Sequence, residues 1–178
     1  MPLLLSETHT TDTFGVLNNM TITATKKTVV EATWPVTKIQ AEAARVMGSQ
    51  MATIMSVLPT YGEKAVQDFR TKMETVKFAH LDTLNIKTPM QLVTALAEFE
   101  TNVFGSKIEV WGSETEASMN YLACAMWEAM NKTCTMTKEQ GEEMGKGWET
   151  CINSTAKHFG FTAKLEMGEK TAVVTFTK

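Results

Sequence analysis

One spacing constrains this chain more than any other feature: a threonine followed three residues later by glutamine or glutamate. It recurs at Thr37 and Gln40, Thr60 and Glu63, Thr88 and Gln91, and Thr137 and Gln140. In such a box the hydroxyl and the longer side chain satisfy backbone N–H groups orphaned at a helix start. Four helix starts are therefore expected. Pro59 beside the second box and Pro89 at the first helical position of the third agree, because proline is tolerated at a helix start and disfavoured inside.

Apolar residues then recur at three- and four-residue steps. The first helix, residues 38 to 58, carries Ile39, Ala43, Val46, Met47, Met51, Ile54 and Leu58. The second, 61 to 84, carries Val66, Phe69, Met73, Val76 and His80, and the third, 89 to 104, carries Leu92, Leu96, Phe99 and Val103. Gly105 is placed to supply a left-handed cap. After it the period falls to two. Ile108 and Val110, then Ala117, Met119 and Tyr121, alternate with polar residues around Gly112-Ser113-Glu114, which predicts a hairpin. A short helix over 124 to 131 and a long one after Thr137, with Met144, Trp148, Ile152 and Phe159 on its stripe, lead to a second hairpin turning at Gly168-Glu169. The fold expected is α+β, several helices on a four-stranded, mostly antiparallel sheet in the order ααα-ββ-αα-ββ.

At 178 residues a single domain over 15 to 178 is expected, after a disordered N-terminal arm of residues 1 to 14. Met20 to Ala24 alternates like a strand, and residues 15 to 36 are otherwise left open. A net charge of -3 leaves no basic surplus to neutralise phosphates, so no nucleic-acid partner is expected. The start Met1-Pro2-Leu3-Leu4-Leu5 lacks a signal peptide's basic and apolar regions, and no stretch reaches the length of a membrane span, which predicts a cytoplasmic protein without a membrane partner. Cys124, Cys134 and Cys151 are odd in number and spaced like neither a disulfide framework nor a zinc site, so they are expected as free thiols. With the three histidines far apart, neither a metal site nor a cofactor is expected.

Cys124 is the candidate nucleophile, because it stands where the second strand enters a helix. A thiol at a helix N-terminus faces unpaired amides and the positive dipole end, which lowers its pKa. The competing expectation is a small buried apolar residue. His80 is the candidate proton carrier, with Asp82 placed to hold its tautomer, and His158 complements the end of its own helix. Glu98 and Glu100 flank Phe99; paired carboxylates can do acid-base work, but these are expected on a solvated face. The glycines among residues 141 to 147 lack P-loop spacing, and are expected to let another element or a ligand approach. Trp111, Tyr121, Trp127, Trp148 and Met119 are the candidate walls of an adaptable apolar pocket for a small-molecule ligand, and they suit an ordinary core equally. Apolar surface on the first helices is a candidate homo-oligomer interface.

From about Phe69 onward, the element order, the run Ala97-Glu98-Phe99-Glu100 leading to Gly105, the strand Lys107-Ile108-Glu109-Val110-Trp111 and the segment Tyr121-Leu122-Ala123-Cys124 resemble the L-2-amino-thiazoline-4-carboxylic acid hydrolase-like family. That resemblance implies hydrolysis of a small sulfur- or nitrogen-containing substrate, with Cys124 as the carried-over residue. Ala125 stands where that family has proline after its cysteine, and the cysteine-rich ending of some members is absent from residues 171 to 178. The paired strands and helices also look similar to the vinyl-reductase-like sensor fold, which implies a non-catalytic binder.

Overall fold

A computed structural model describes residues 32–133, 137–168 and 171–178. The expected arm and the alternating segment near Met20 lie outside the described residues, as does Cys134. Within Trp34–Lys178 the elements are α1 (Val36–Val57), a 3-10 turn (Leu58–Tyr61), α2 (Glu63–Asp82), α3 (Pro89–Phe104), β1 (Lys107–Gly112), β2 (Glu116–Ala123), α4 (Ala125–Thr133), α5 (Lys138–His158), β3 (Thr162–Met167) and β4 (Ala172–Thr177). The expected α+β order is observed.

Two of the four boxes form. Thr88 with Gln91 and Thr137 with Gln140 each make both bonds of a capping box. The other two fail for local reasons. Helix α1 starts two residues early, with Pro35 at its N-cap position, so Thr37 lies inside it and Gln40 is freed to donate to the carbonyls of Thr101 and Asn102 at the end of α3. Thr60 falls in the 3-10 turn, where its hydroxyl donates to the carbonyl of Val57, and α2 starts behind Gly62 instead.

The sheet runs β1-β2-β4-β3, all pairs antiparallel, so the returning strand β4 slots between β2 and β3. Both hairpins turn where the glycines predict: Gly112 adopts φ 133 and the Ser113 N–H donates to the Glu116 carbonyl, while the Gly168 N–H donates to Thr171. One sheet face is apolar by strict alternation. Ala117, Met119 and Tyr121 of β2 sit in register with Phe176, Val174 and Ala172 of β4, and all of these but Ala172 share one core with Leu92, Val93 and Ala97 of α3 and Ile152 and Ala156 of α5.

The apolar stripes are rotated from their expected facing. On α1 the buried residues are the small ones, Ala44, Gly48 and Ala52, while Ile39 stays 51% exposed and Val36, Val46 and Met47 are exposed too. Small residues win this face because α4 lies against α1 at close range: a Cβ on Gly48 would stand 2.7 Å from the Ala129 Cβ. On α2, Met73, Val76 and His80 face outward, and Arg70, Lys77, Phe78 and Leu81 turn inward instead. Their neighbour is α5, whose facing surface of Gly147, Cys151, Thr155 and His158 is small and polar, so long amphipathic side chains cover it best. On α3, Leu92 is fully buried, but Phe99 is 51% exposed and Val103 exposed, with Val93, Ala97 and Phe104 taking the inner face. No described helix is long and apolar enough to cross a membrane.

Candidate functional site

The site begins with the end of α3. Gly105 takes φ 75, which lets the Ser106 N–H reach back to the carbonyl of Glu100 and the Gly105 N–H to that of Thr101. That reversal buries Ser106 to 2% exposure directly beside the Glu100 side chain. The Ser106 hydroxyl donates to Glu100 Oε2 at 3.2 Å and accepts from the Ala125 N–H, the first amide of α4, at 3.2 Å. One buried serine thereby joins a carboxyl group to a helix N-terminus.

Cys124 caps that same helix. Its carbonyl accepts from the Glu128 N–H at 3.0 Å, and the first-turn amides of Met126 and Trp127 pull its thiol pKa down. The expected position at a helix start is observed; the expected electrostatics is corrected. Burial pushes the Cys124 thiol up, and the nearby charges of Glu100 and Glu128 push the same way; the two amide bonds pull down without prevailing. Cys124 is therefore a proton-holding thiol rather than a preformed thiolate.

Glu100 is half-buried, contrary to the solvated face expected for it, because the rotation of α3 turns Phe99 outward and Glu100 inward. Burial raises its pKa against the opposing pull of the Ser106 hydroxyl. Tyr121 is pushed up as well, by burial first and then by the charges of Glu100, Cys124 and Cys151, so these four groups share one electrostatic neighbourhood. The Tyr121 ring meets Trp148 edge to face at 5.6 Å.

Of the other expected residues, the structure brings only Tyr121 and Trp148 together in this way. Met119 is core at 1% exposure, Trp127 is exposed on α4, and Trp111 is 47% exposed on the sheet face opposite the core, opposite Ser118 in register. His80 is exposed near the end of α2, a helix that packs on the 3-10 turn and α5, whereas Cys124 caps α4, which packs on α1. Asp82 pairs instead with His158, Oδ1 to Nε2 2.7 Å, and the His158 ring stacks on Phe78 at 4.2 Å. Among the described residues no three or more His, Cys, Asp or Glu gather as a metal site would require. The glycine-rich run does admit a neighbour, at Gly147, where Arg70 lies 3.2 Å from the Cβ position; Gly141 and Gly145 face open space. A groove of about 340 Å³ lined by Leu84, Ile86, Met90, Gln91, Thr94, Ala95 and Glu98 lies apart from Cys124.

Glu100 gives the site a stability signature. Its folded-state pKa stands above its unfolded value, so its contribution is fully present below the unfolded pKa and is lost as pH rises through the folded one. Glu100→Gln keeps an acceptor for Ser106 and cannot ionise. The variant is expected to unfold at higher urea than wild type at pH 8, with the difference vanishing at pH 4, as read by circular dichroism.

Ser106 carried little sequence signal beyond the glycine before it, which dictates a reversal, and Glu100 was visible only as one of the two carboxylates flanking Phe99. No protein-family model matches this sequence, and no curated protein matches it either.

Proposed function

We propose that the protein is a small-molecule hydrolase or lyase that uses Cys124 as its nucleophile and Glu100, rather than His80, as its proton carrier. The observation that carries this reading is that buried Ser106 ties the half-buried Glu100 carboxyl to the Ala125 amide at the start of α4, next to Cys124, with the pKa of both groups raised. A thiol of raised pKa is scarce as thiolate but intrinsically strong as a nucleophile. Such a group suits general-base activation: Glu100 takes the thiol proton as Cys124 attacks, and returns it to the leaving group. The amides of Met126 and Trp127 stabilise negative charge on the sulfur in transit. Tyr121, in the thiol's electrostatic neighbourhood and edge to face with Trp148, would supply an aromatic wall. The substrate class, a small sulfur- or nitrogen-containing molecule, and the cytoplasmic setting follow from the resemblance and composition given above. Exposed Val36, Ile39, Val46 and Met47 on α1 form the surface on which a homo-oligomer of the enzyme would assemble.

The groove beside α3 supports the alternative, a non-catalytic binding domain, since its volume lies within the range of small-molecule pockets. Only Met90 of its lining belongs to the chain's thioether and tryptophan complement.

The activated ester p-nitrophenyl acetate distinguishes the two. Under the enzymatic reading, native protein acquires one acetyl group on Cys124 and releases p-nitrophenolate beyond one equivalent. Cys124→Ser, which retains a helix-capping side chain, loses both. Acetylation confined to lysines, or unchanged release in Cys124→Ser, would contradict it.

A further inference from the structure

The seam between α2 and α5 holds a second pair of chemically competent groups, independent of the reading at Cys124. Lys77 Nζ donates to Cys151 Sγ at 3.1 Å and to Thr155 Oγ1 at 2.7 Å. Thr155 is buried, and its hydroxyl donates to the Cys151 carbonyl at 2.7 Å, which locks it as the anchor holding the amine against the sulfur. Lysine ordinarily extends its head into water; here the head is turned inward and half-buried, 4.8 Å from the Phe78 ring centroid. Farther along, the His158–Asp82 pair and the stacking of Phe78 on His158 pin the two helices in register. The amine and the sulfur are thus in contact before any reaction, and joining them requires no movement of either helix.

We propose that Lys77 and Cys151 are a peroxide-responsive modification site, which closes reversibly into a sulfur–nitrogen bond stapling α2 to α5. The co-reactant is a hydroperoxide. The Cys151 sulfur attacks one peroxide oxygen, the O–O bond breaks, and one water leaves, giving the sulfenic acid. The Lys77 ammonium releases one proton to solvent, and the nitrogen lone pair attacks Sγ. The S–O bond breaks, the departing hydroxide takes a second proton from nitrogen as water, and a sulfenamide remains. In sum, thiol, amine and hydrogen peroxide give the sulfenamide and two waters: sulfur is oxidised by two electrons and peroxide is reduced by two. An external thiol reverses the bond by attacking sulfur and expelling the amine, and a second thiol then restores Cys151. Cross-linking positions that lie on separate helices restricts the unfolded chain, so the oxidised form should also resist denaturant better than the reduced form.

The test uses the full chain with Cys124→Ser and Cys134→Ser, leaving Cys151 as the sole thiol and removing intramolecular disulfides from consideration. Native protein is treated with hydrogen peroxide, quenched, and read by intact mass and tryptic mapping. The expected result is a loss of about 2 Da, a missed tryptic cleavage at Lys77, and one cross-linked peptide pair containing Lys77 and Cys151, all reversed by dithiothreitol. Lys77→Arg preserves a cationic donor beside the sulfur and is expected to abolish the cross-link while leaving the circular dichroism spectrum unchanged. Stable gain of oxygen on Cys151 with normal cleavage at Lys77 would overturn the proposal. So would a doubled mass from an intermolecular disulfide, or a cross-link that persists in Lys77→Arg.

Discussion

Phe176→Ala is expected to cost about 4 kcal/mol of stability, read as a large fall in the urea midpoint. Phe176 is 1% exposed on central strand β4, and its partners across both neighbouring strands are alanines, Ala117 on β2 and Ala163 on β3. The ring fills the space over two small residues, so truncation leaves a void that the alanines directly opposite cannot fill. Whole-domain stabilities are about 5–15 kcal/mol, so the variant should be marginal at room temperature. Phe176→Leu retains most of the volume and should cost closer to about 1.5 kcal/mol. A loss below about 1 kcal/mol for the alanine variant would show that the sheet face is not the packing centre described above.

Gly48→Val is expected to cost about 3 kcal/mol, by forcing a branched side chain into the contact between α1 and α4. The Cβ position at Gly48 lies 2.7 Å from the Ala129 Cβ, 3.0 Å from the Met126 carbonyl oxygen and 3.1 Å from the Met130 nitrogen. Two of those three atoms are backbone, so α4 must shift as a unit, and with it the helix start capped by Cys124. Gly48→Ala gains about 1 kcal/mol of helix propensity against the same clash and should lose less. Gly145→Ala is the control: nothing lies within 4 Å of its Cβ position, and the substitution should stabilise by up to about 1 kcal/mol. Thermal melts of the three variants check the series, and equal effects at Gly48 and Gly145 would contradict close α1–α4 packing.

The element order was legible because its signals are local. Alternation at Ile108–Val110 and Ala172–Phe176, the turn at Gly112 and the cap at Gly105 depend on backbone geometry that neighbouring residues impose. Which face each helix buries was not legible, because that depends on the partner. Large apolar residues on α1 suggested a broad core contact, yet α4 approaches so closely that Ala44, Gly48 and Ala52 occupy the interface. The same dependence hid the site. Glu100 looked solvated while Phe99 was assigned inward, and the turn of α3 exchanges the two. Capping-box spacing likewise marks a helix start only where the chain has already left the helical conformation: Thr37 fails because α1 begins before it.

The position of Cys124 at a helix start was legible in the sequence because strand-to-helix junctions are local features, but the sign of its pKa shift rests on distant residues. Helix amides alone would lower it; burial and Glu100, 24 residues earlier in the chain, reverse the outcome. The most direct test is the rate of iodoacetamide modification of Cys124 as a function of pH, in wild type and in Glu100→Gln. In wild type the rate should rise with an apparent pKa above that of an ordinary thiol. Iodoacetamide reads the thiolate fraction rather than general-base transfer, so removing the carboxylate should move the profile to lower pH and speed modification at pH 7.5 by about threefold, while turnover, which needs Glu100 as proton carrier, falls. Superimposable profiles for the two proteins, or modification only after unfolding, would contradict a thiol whose proton is governed by Glu100.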